Sequence, residues 1–136
     1  MTKNKVFIAA TGKALSRAEY VDGAWQVEKS LEGTRVNCLV SDPLQPKRIY
    51  TGTQNYGILV SDDSGKTWES LGMEGIPVKS LAVSPRHPGK IFAGCKPVSL
   101  YVSQNGGGTW EEYESLHGPA AGGGSPPRNR PIGAPT

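Results

Sequence analysis

The densest run of side chains able to do chemistry is Ser61-Asp-Asp-Ser-Gly-Lys-Thr-Trp68. A related run, Ser103-Gln-Asn-Gly-Gly-Gly-Thr-Trp110, lies downstream. A calcium loop built on Asp62 and Asp63 fails for want of a bidentate Glu at the required spacing. A phosphate cradle at Gly106–Gly108 fails because no Lys-Ser/Thr ending and no helix follow. What remains is a hydrogen-bonded hairpin loop. In it Asp63 or Asn105 accepts bonds from backbone N–H groups, as in an Asx-turn. Gly65 and Gly107 supply a positive φ. Trp68 and Trp110 pin the loop to a sheet by burying a large indole. Ser61, Thr67, Ser103 and Thr109 complete the set.

Other reactive residues are scattered. Cleavage of a glycosidic bond by two carboxylates needs them on either side of a cleft. Asp22, Asp62 and Asp63 fall in outer turns, and Asp42 and Glu74 in loops. His87 sits in the turn Ser84-Pro-Arg-His-Pro88, and no Gly-x-Ser-x-Gly elbow is present for Ser/His/Asp catalysis. Cys38 and Cys95 are far apart, and the histidines are His87 and His117. Metal ligation is not expected. Each Cys lies in an apolar run, where it acts as a small hydrophobe. The reading assigns no catalytic residue, no cofactor and no metal.

The elements that must position these residues are repeated. Shifting the chain by 42 residues aligns 36–71 with 78–113 without a gap, and twelve positions are identical. Among them are Val36/Val78, Leu39/Leu81, Ile49/Ile91, Gly52/Gly94 and Trp68/Trp110. A period of this length signals a propeller blade of four strands. The strands expected in one copy are Arg35–Ser41, Arg48–Thr53, Gly57–Ser61 and Thr67–Leu71. In the next they are Val78–Val83, Lys90–Gly94, Ser99–Ser103 and Thr109–Tyr113. A worn upstream copy holds Val6–Ala9, Ala14–Tyr20 and Ala24–Glu28. Its Asp22-Gly23 is a tight-hairpin signal, and Trp25 takes the place of Trp68. This copy lacks a first strand.

Ser61, Asp63, Gly65, Thr67 and Trp68 fill all five fixed positions of Ser-x-Asp-x-Gly-x-Thr-Trp. The chain thereby resembles the BNR-repeat families, whose motif is the Asp-box. Ser103, Gly107, Thr109 and Trp110 keep four positions, with Asn105 in place of the acid. The resemblance covers residues 5–113. It implies a β-propeller in which the box stabilises the blade edge, away from any active centre. Families with this box include sialidases, xyloglucan-type endoglucanases, sortilin-like receptor domains and a photosystem assembly factor. A sialidase-like site implies an arginine cluster, a Tyr–Glu pair and an acid Asp. None of Arg17, Arg35, Arg48, Arg86, Arg128 and Arg130 stands in an Arg-Ile-Pro motif ahead of the first box.

Composition agrees with an all-β chain. It has 136 residues, 18 Gly and 11 Pro, and 36% apolar residues, with no apolar run long enough for a transmembrane helix. The net charge of +3 includes Arg128 and Arg130 near the C-terminus. The body has no basic stripe, so nucleic acid is not an expected partner. Val6–Ala10 is too short for a signal-peptide core, and the cytoplasm is the expected location. Residues 117–136 hold five Gly and five Pro, with no acid and no aromatic. Such composition predicts a disordered tail. Back-translating 122–136 from the third base of Gly122 permits an aromatic-rich reading, so a shifted frame is a second explanation.

The expected organisation is a partial blade at 1–33, a blade with the full box at 34–74, a blade with the Asn variant at 75–116, and a tail at 117–136. That is an incomplete propeller of about 2.75 antiparallel blades, an open arc with a free edge at Val6–Ala9. The expected function is a non-catalytic interaction or structural scaffold, with an unknown protein partner or self-association through the open faces. The alternative is part of a glycoside hydrolase whose catalytic residues lie in other blades.

Overall fold

A computed structural model describes residues 5–113. The expected tail and its frame therefore lie outside the described residues. Eleven strands form, and no helix occurs among the described residues. Among the described residues no helix is long and apolar enough to cross a membrane. Sheet 1 contains β1 (Val6–Ala10), β2 (Leu15–Val21) and β3 (Ala24–Ser30). Sheet 2 contains β4 (Val36–Asp42), β5 (Gln45–Thr53), β6 (Ile58–Ser61) and β7 (Glu69–Ser70). Sheet 3 contains β8 (Val78–Val83), β9 (Ile91–Cys95), β10 (Ser99–Ser103) and β11 (Glu111–Glu112). Each sheet is an antiparallel meander in chain order. The architecture is an incomplete propeller of one three-stranded and two four-stranded sheets.

The duplication extends to register. In sheet 2, Val36 faces Thr53 and Cys38 faces Gly52, with a bulge between them. In sheet 3, Val78 faces Cys95 and Ser80 faces Gly94, with the same bulge. The extra residue, Asn37, reaches the neighbouring sheet. Its Nδ2 donates to the Val78 carbonyl at 3.0 Å and to Gln54 Oε1 at 3.3 Å. Most strand bounds shift by one or two residues from the sequence expectation, and β5, β7 and β11 change length by three. The outer strands shrink to Glu69–Ser70 and Glu111–Glu112, because the loops before them keep Thr67, Trp68, Thr109 and Trp110. Strand β5 starts early, at Gln45, because Asp42 closes a tight turn: its carboxylate accepts the Leu44 N–H at 2.8 Å.

The main core lies between sheets 2 and 3. Tyr50, Ile58, Val60 and Met73 meet Val78, Ile91, Ala93, Cys95 and Trp110. Gly52 lets the sheets approach, and Gly94 makes room within sheet 3. A Cβ on Gly52 would lie 2.6 Å from Val78 Cγ1 and 2.7 Å from Cys38 Sγ, and one on Gly94 would lie 2.5 Å from Ser80 Oγ. Cys38 and Cys95 are both free. Burial pushes the Cys95 thiol up to about 12 and raises that of Cys38, so both are neutral thiols at physiological pH.

Sheet 1 buries only one face. Leu15 and Arg17 point toward sheet 2 and are buried. On the opposite face Phe7 pairs with Ala18 and Ala18 with Val27, while Tyr20 pairs with Trp25. Phe7, Tyr20, Trp25 and Val27 are 62%, 40%, 51% and 65% exposed.

Gly52→Ala inserts a methyl group into space already held by Val78 of sheet 3. Overpacking of this kind costs about 1–3 kcal/mol. A lower urea midpoint with an unchanged m-value is the expected result.

Candidate functional site

The two loops, Ser61–Trp68 and Ser103–Trp110, are the most densely hydrogen-bonded segments, and they are near copies. Ser61 ends β6 and is buried. Its Oγ donates to Asp63 Oδ1 at 2.7 Å and accepts the Gly65 N–H at 2.8 Å. Asp63 Oδ1 accepts the N–H groups of Lys66 (3.0 Å) and Thr67 (2.9 Å), and Oδ2 accepts the Thr67 hydroxyl at 2.6 Å. In the second loop Ser103 Oγ donates to Asn105 Oδ1 at 2.9 Å and accepts the Gly107 N–H at 2.8 Å. Asn105 Oδ1 accepts the Thr109 N–H at 2.9 Å. Asn105 Nδ2 donates to Thr109 Oγ1 at 3.0 Å, so the threonine hydroxyl reverses its role.

This bonding sets the acidity of Asp63. The Thr67 hydroxyl, then the Thr67 N–H and the Ser61 hydroxyl, hold its carboxyl well below the usual carboxylate range. The proton that would let it act as an acid near neutrality is absent. Its oxygens are occupied by donors within the loop.

Each loop also seats on the preceding sheet. Gly65 has φ +90°, and a Cβ there would lie 2.7 Å from Ile8 Cδ1 of sheet 1. Gly107 has φ +93°, and its Cβ would lie 2.5 Å from Leu71 Cδ1, beyond β7 of sheet 2. Glycine is therefore required twice over, by backbone conformation and by close approach. An arginine from the earlier sheet clamps the turn in each case. Arg17 Nε donates to the Ser64 carbonyl at 2.8 Å, and Arg48 Nη2 to the Gly106 carbonyl at 3.3 Å. Ser64 and Gly106 are equivalent under the 42-residue shift. The arginines come from different strands, β2 and β5, so sequence alignment does not match them. A basic residue at an inward position of β2, between Leu15 and Glu19, is the one signal that marks Arg17. A pair with Glu19 at 3.0 Å holds its other end. Arg48 is held by Tyr50 Oη at 2.7 Å and Asp62 at 3.2 Å.

The tryptophans occupy graded surroundings. Trp110 is 2% exposed and part of the main core. Trp68 is half-buried. Both indole N–H groups are buried without an acceptor among the described residues. Trp25, at the matching place in sheet 1, is half exposed and packs edge-on against Tyr20 with ring centroids 5.3 Å apart.

The other reactive residues do local work. Asp42 caps its turn, and Asp62 pairs with Arg48 at the surface. Asp22 stands at φ +50° in the β2–β3 hairpin. Glu74 and His87 are exposed, and the His87 N–H donates to Ser84 Oγ at 3.1 Å. Among the described residues no three of His, Cys, Asp and Glu are grouped to hold a metal ion.

No protein-family model matches the chain, and no curated protein matches it. Among solved structures, the chain is similar to the crystal structure of an ancestral GH74 enzyme, with a TM-score of 0.64 and 21% identity. The match covers 79% of this chain and 16% of that enzyme's. The likeness shows the fold, and this chain spans about a sixth of the enzyme's length.

Because Asp63 binds its proton less tightly when folded, its stabilisation is complete above the ordinary value of 3.8 and is lost as pH falls below it. Asp63→Asn should keep the loop, as Asn105 does, and show a smaller loss of melting temperature between pH 5 and pH 3. Asp63→Ala should cost about 1–2 kcal/mol at neutral pH. Ser64, at φ +61°, occupies a left-handed conformation that its counterpart Gly106 adopts freely. Ser64→Gly should raise stability by up to ~1 kcal/mol in chemical denaturation.

Proposed function

We propose that this chain is a non-catalytic BNR-repeat segment of a propeller, acting as a structural and protein-interaction scaffold. The observation that carries the reading is the outer face of sheet 1. It presents Phe7, Tyr20, Trp25 and Val27 to solvent, on the side where sheets 2 and 3 each receive a preceding sheet. The partner with matching chemistry is a further sheet of the same kind, offering an apolar face to Trp25. The Asp-box residues Ser61, Asp63, Gly65, Thr67 and Trp68, with Ser103, Asn105, Gly107, Thr109 and Trp110, serve as the joints between sheets. Their bonds are spent within the loops, which supports a structural role.

Light scattering tests the reading. The chain should associate as its concentration rises, and the Phe7→Lys, Trp25→Lys double variant should stay monomeric with an unchanged β-sheet circular dichroism spectrum. A wild-type chain that remains monomeric throughout overturns it.

A second reading is favoured by the likeness to the ancestral GH74 enzyme. The chain is then part of a glycoside hydrolase, with its catalytic carboxylates in other sheets. It predicts that a β-glucan oligosaccharide shifts backbone resonances of this chain on titration. The scaffold reading predicts none.

A further inference from the structure

Of the asparagines in the chain, only Asn105 is followed by glycine. Such a step is the most prone to deamidate, because glycine leaves the peptide nitrogen unhindered. The Gly106 nitrogen attacks the Asn105 Cγ, and the new N–C bond closes a succinimide ring. The Nδ2 group leaves as ammonia, carrying the proton that the Gly106 nitrogen gives up. Water then opens the ring at either carbonyl, giving aspartate or isoaspartate. No oxidant and no cofactor take part. Asn105 is exposed and Gly106 is half-buried, so water reaches the site.

The folded loop withholds both partners of the first step. The Gly106 N–H donates to the Gly89 carbonyl at 2.8 Å. Gly89 presses on the loop: a Cβ there would lie 3.1 Å from the Gly106 nitrogen and 3.3 Å from the Gln104 carbonyl oxygen. The Asn105 carboxamide is turned to Thr109. Its Oδ1 accepts the Thr109 N–H and the Ser103 hydroxyl, and its Nδ2 donates to Thr109 Oγ1. The first loop has the same seat, with the Ser64 N–H on the Lys47 carbonyl at 3.1 Å. It also displays the effect of an aspartate. Asp63 accepts the Lys66 and Thr67 N–H groups and the Thr67 hydroxyl, all bonds strengthened by its charge. An aspartate at 105 meets the equivalent donors on Gly108 and Thr109. An isoaspartate does not fit. It adds a backbone methylene between Ser103 and Gly107, which the Ser103 hydroxyl bridges at 2.8 Å.

We propose that Asn105–Gly106 is a self-modification site, closed while the loop is seated on Gly89 and open when it lifts off, whose aspartyl product completes the second loop in the form of the first. Time spent off the seat leaves a permanent mark in the chain. The test incubates the full chain at mildly alkaline pH, in buffer and in urea, and follows the tryptic peptide 91–128 by mass spectrometry. In urea Asn105 should gain the mass of an amide-to-acid exchange. In buffer the rate should be lower by roughly tenfold or more. Below the unfolding transition, the rate should rise with urea in step with hydrogen exchange of the Gly106 N–H. Asn105→Asp, which installs the product, should raise the urea midpoint at neutral pH, and acidification should remove the gain. If this variant fails to fold, the contrast between buffer and urea on the wild-type chain decides the gating, and the aspartyl part of the proposal falls. Equal rates in buffer and urea, an unmodified Asn105 in urea, a rate that does not follow Gly106 exchange, or a lower midpoint for Asn105→Asp overturns the proposal.

Discussion

The architecture depends on how each Ser-to-Trp loop seats on the sheet before it. Gly65 rests on Ile8 and Gly107 on Leu71, at distances that leave no room for a Cβ. A loop can act as such a joint only if it is stiff. Stiffness comes from a serine hydroxyl and a carboxylate or amide oxygen that together take up the turn's N–H groups. Left unpaired, the buried N–H groups of Gly65 and Gly107 would be costly. With the loop rigid, an arginine from the earlier sheet can clamp a carbonyl of its turn. The polar network and the apolar seating are thus parts of one device, used twice.

The same device explains the gradient in tryptophan burial. Trp110 belongs to a loop seated on a four-stranded sheet and lies in the main core. Trp68 belongs to a loop seated on the three-stranded sheet 1 and is half-buried. Trp25 has no sheet before it among the described residues, and half its surface meets solvent. Among the described residues sheet 1 has the fewest strands, and its aromatic face is open. Its β1 edge and its aromatic side both lack a neighbour among the described residues.

Much of the fold was legible because duplication is a strong signal. Val36/Val78, Gly52/Gly94 and the two Ser-to-Trp loops announced a repeated four-strand unit, and three sheets with those strands are present. The short outer strands were less legible, since Thr67 and Trp68 have strand-forming side chains but are held by the loop. Arg17 and Arg48 could not be paired from sequence. They stand on different strands, and only the packing of sheets brings both to equivalent carbonyls.

The sequence by itself determined the repeat, the strand order and the loop chemistry, because these rest on side-chain type and on separations of a few residues. It also set the positions at which only glycine is tolerated by φ. The tertiary structure decided which sheet each loop rests on, which tryptophan is covered, and what surrounds the β1 edge. Those depend on contacts between residues far apart in the chain, 47 and 58 positions for the two arginine clamps, whose partners are chosen by shape and not by local pattern. Glycine at 52 and isoleucine at 8 read alike as strand residues. Their difference in size acquires meaning only when a neighbouring strand either covers the position or leaves it open.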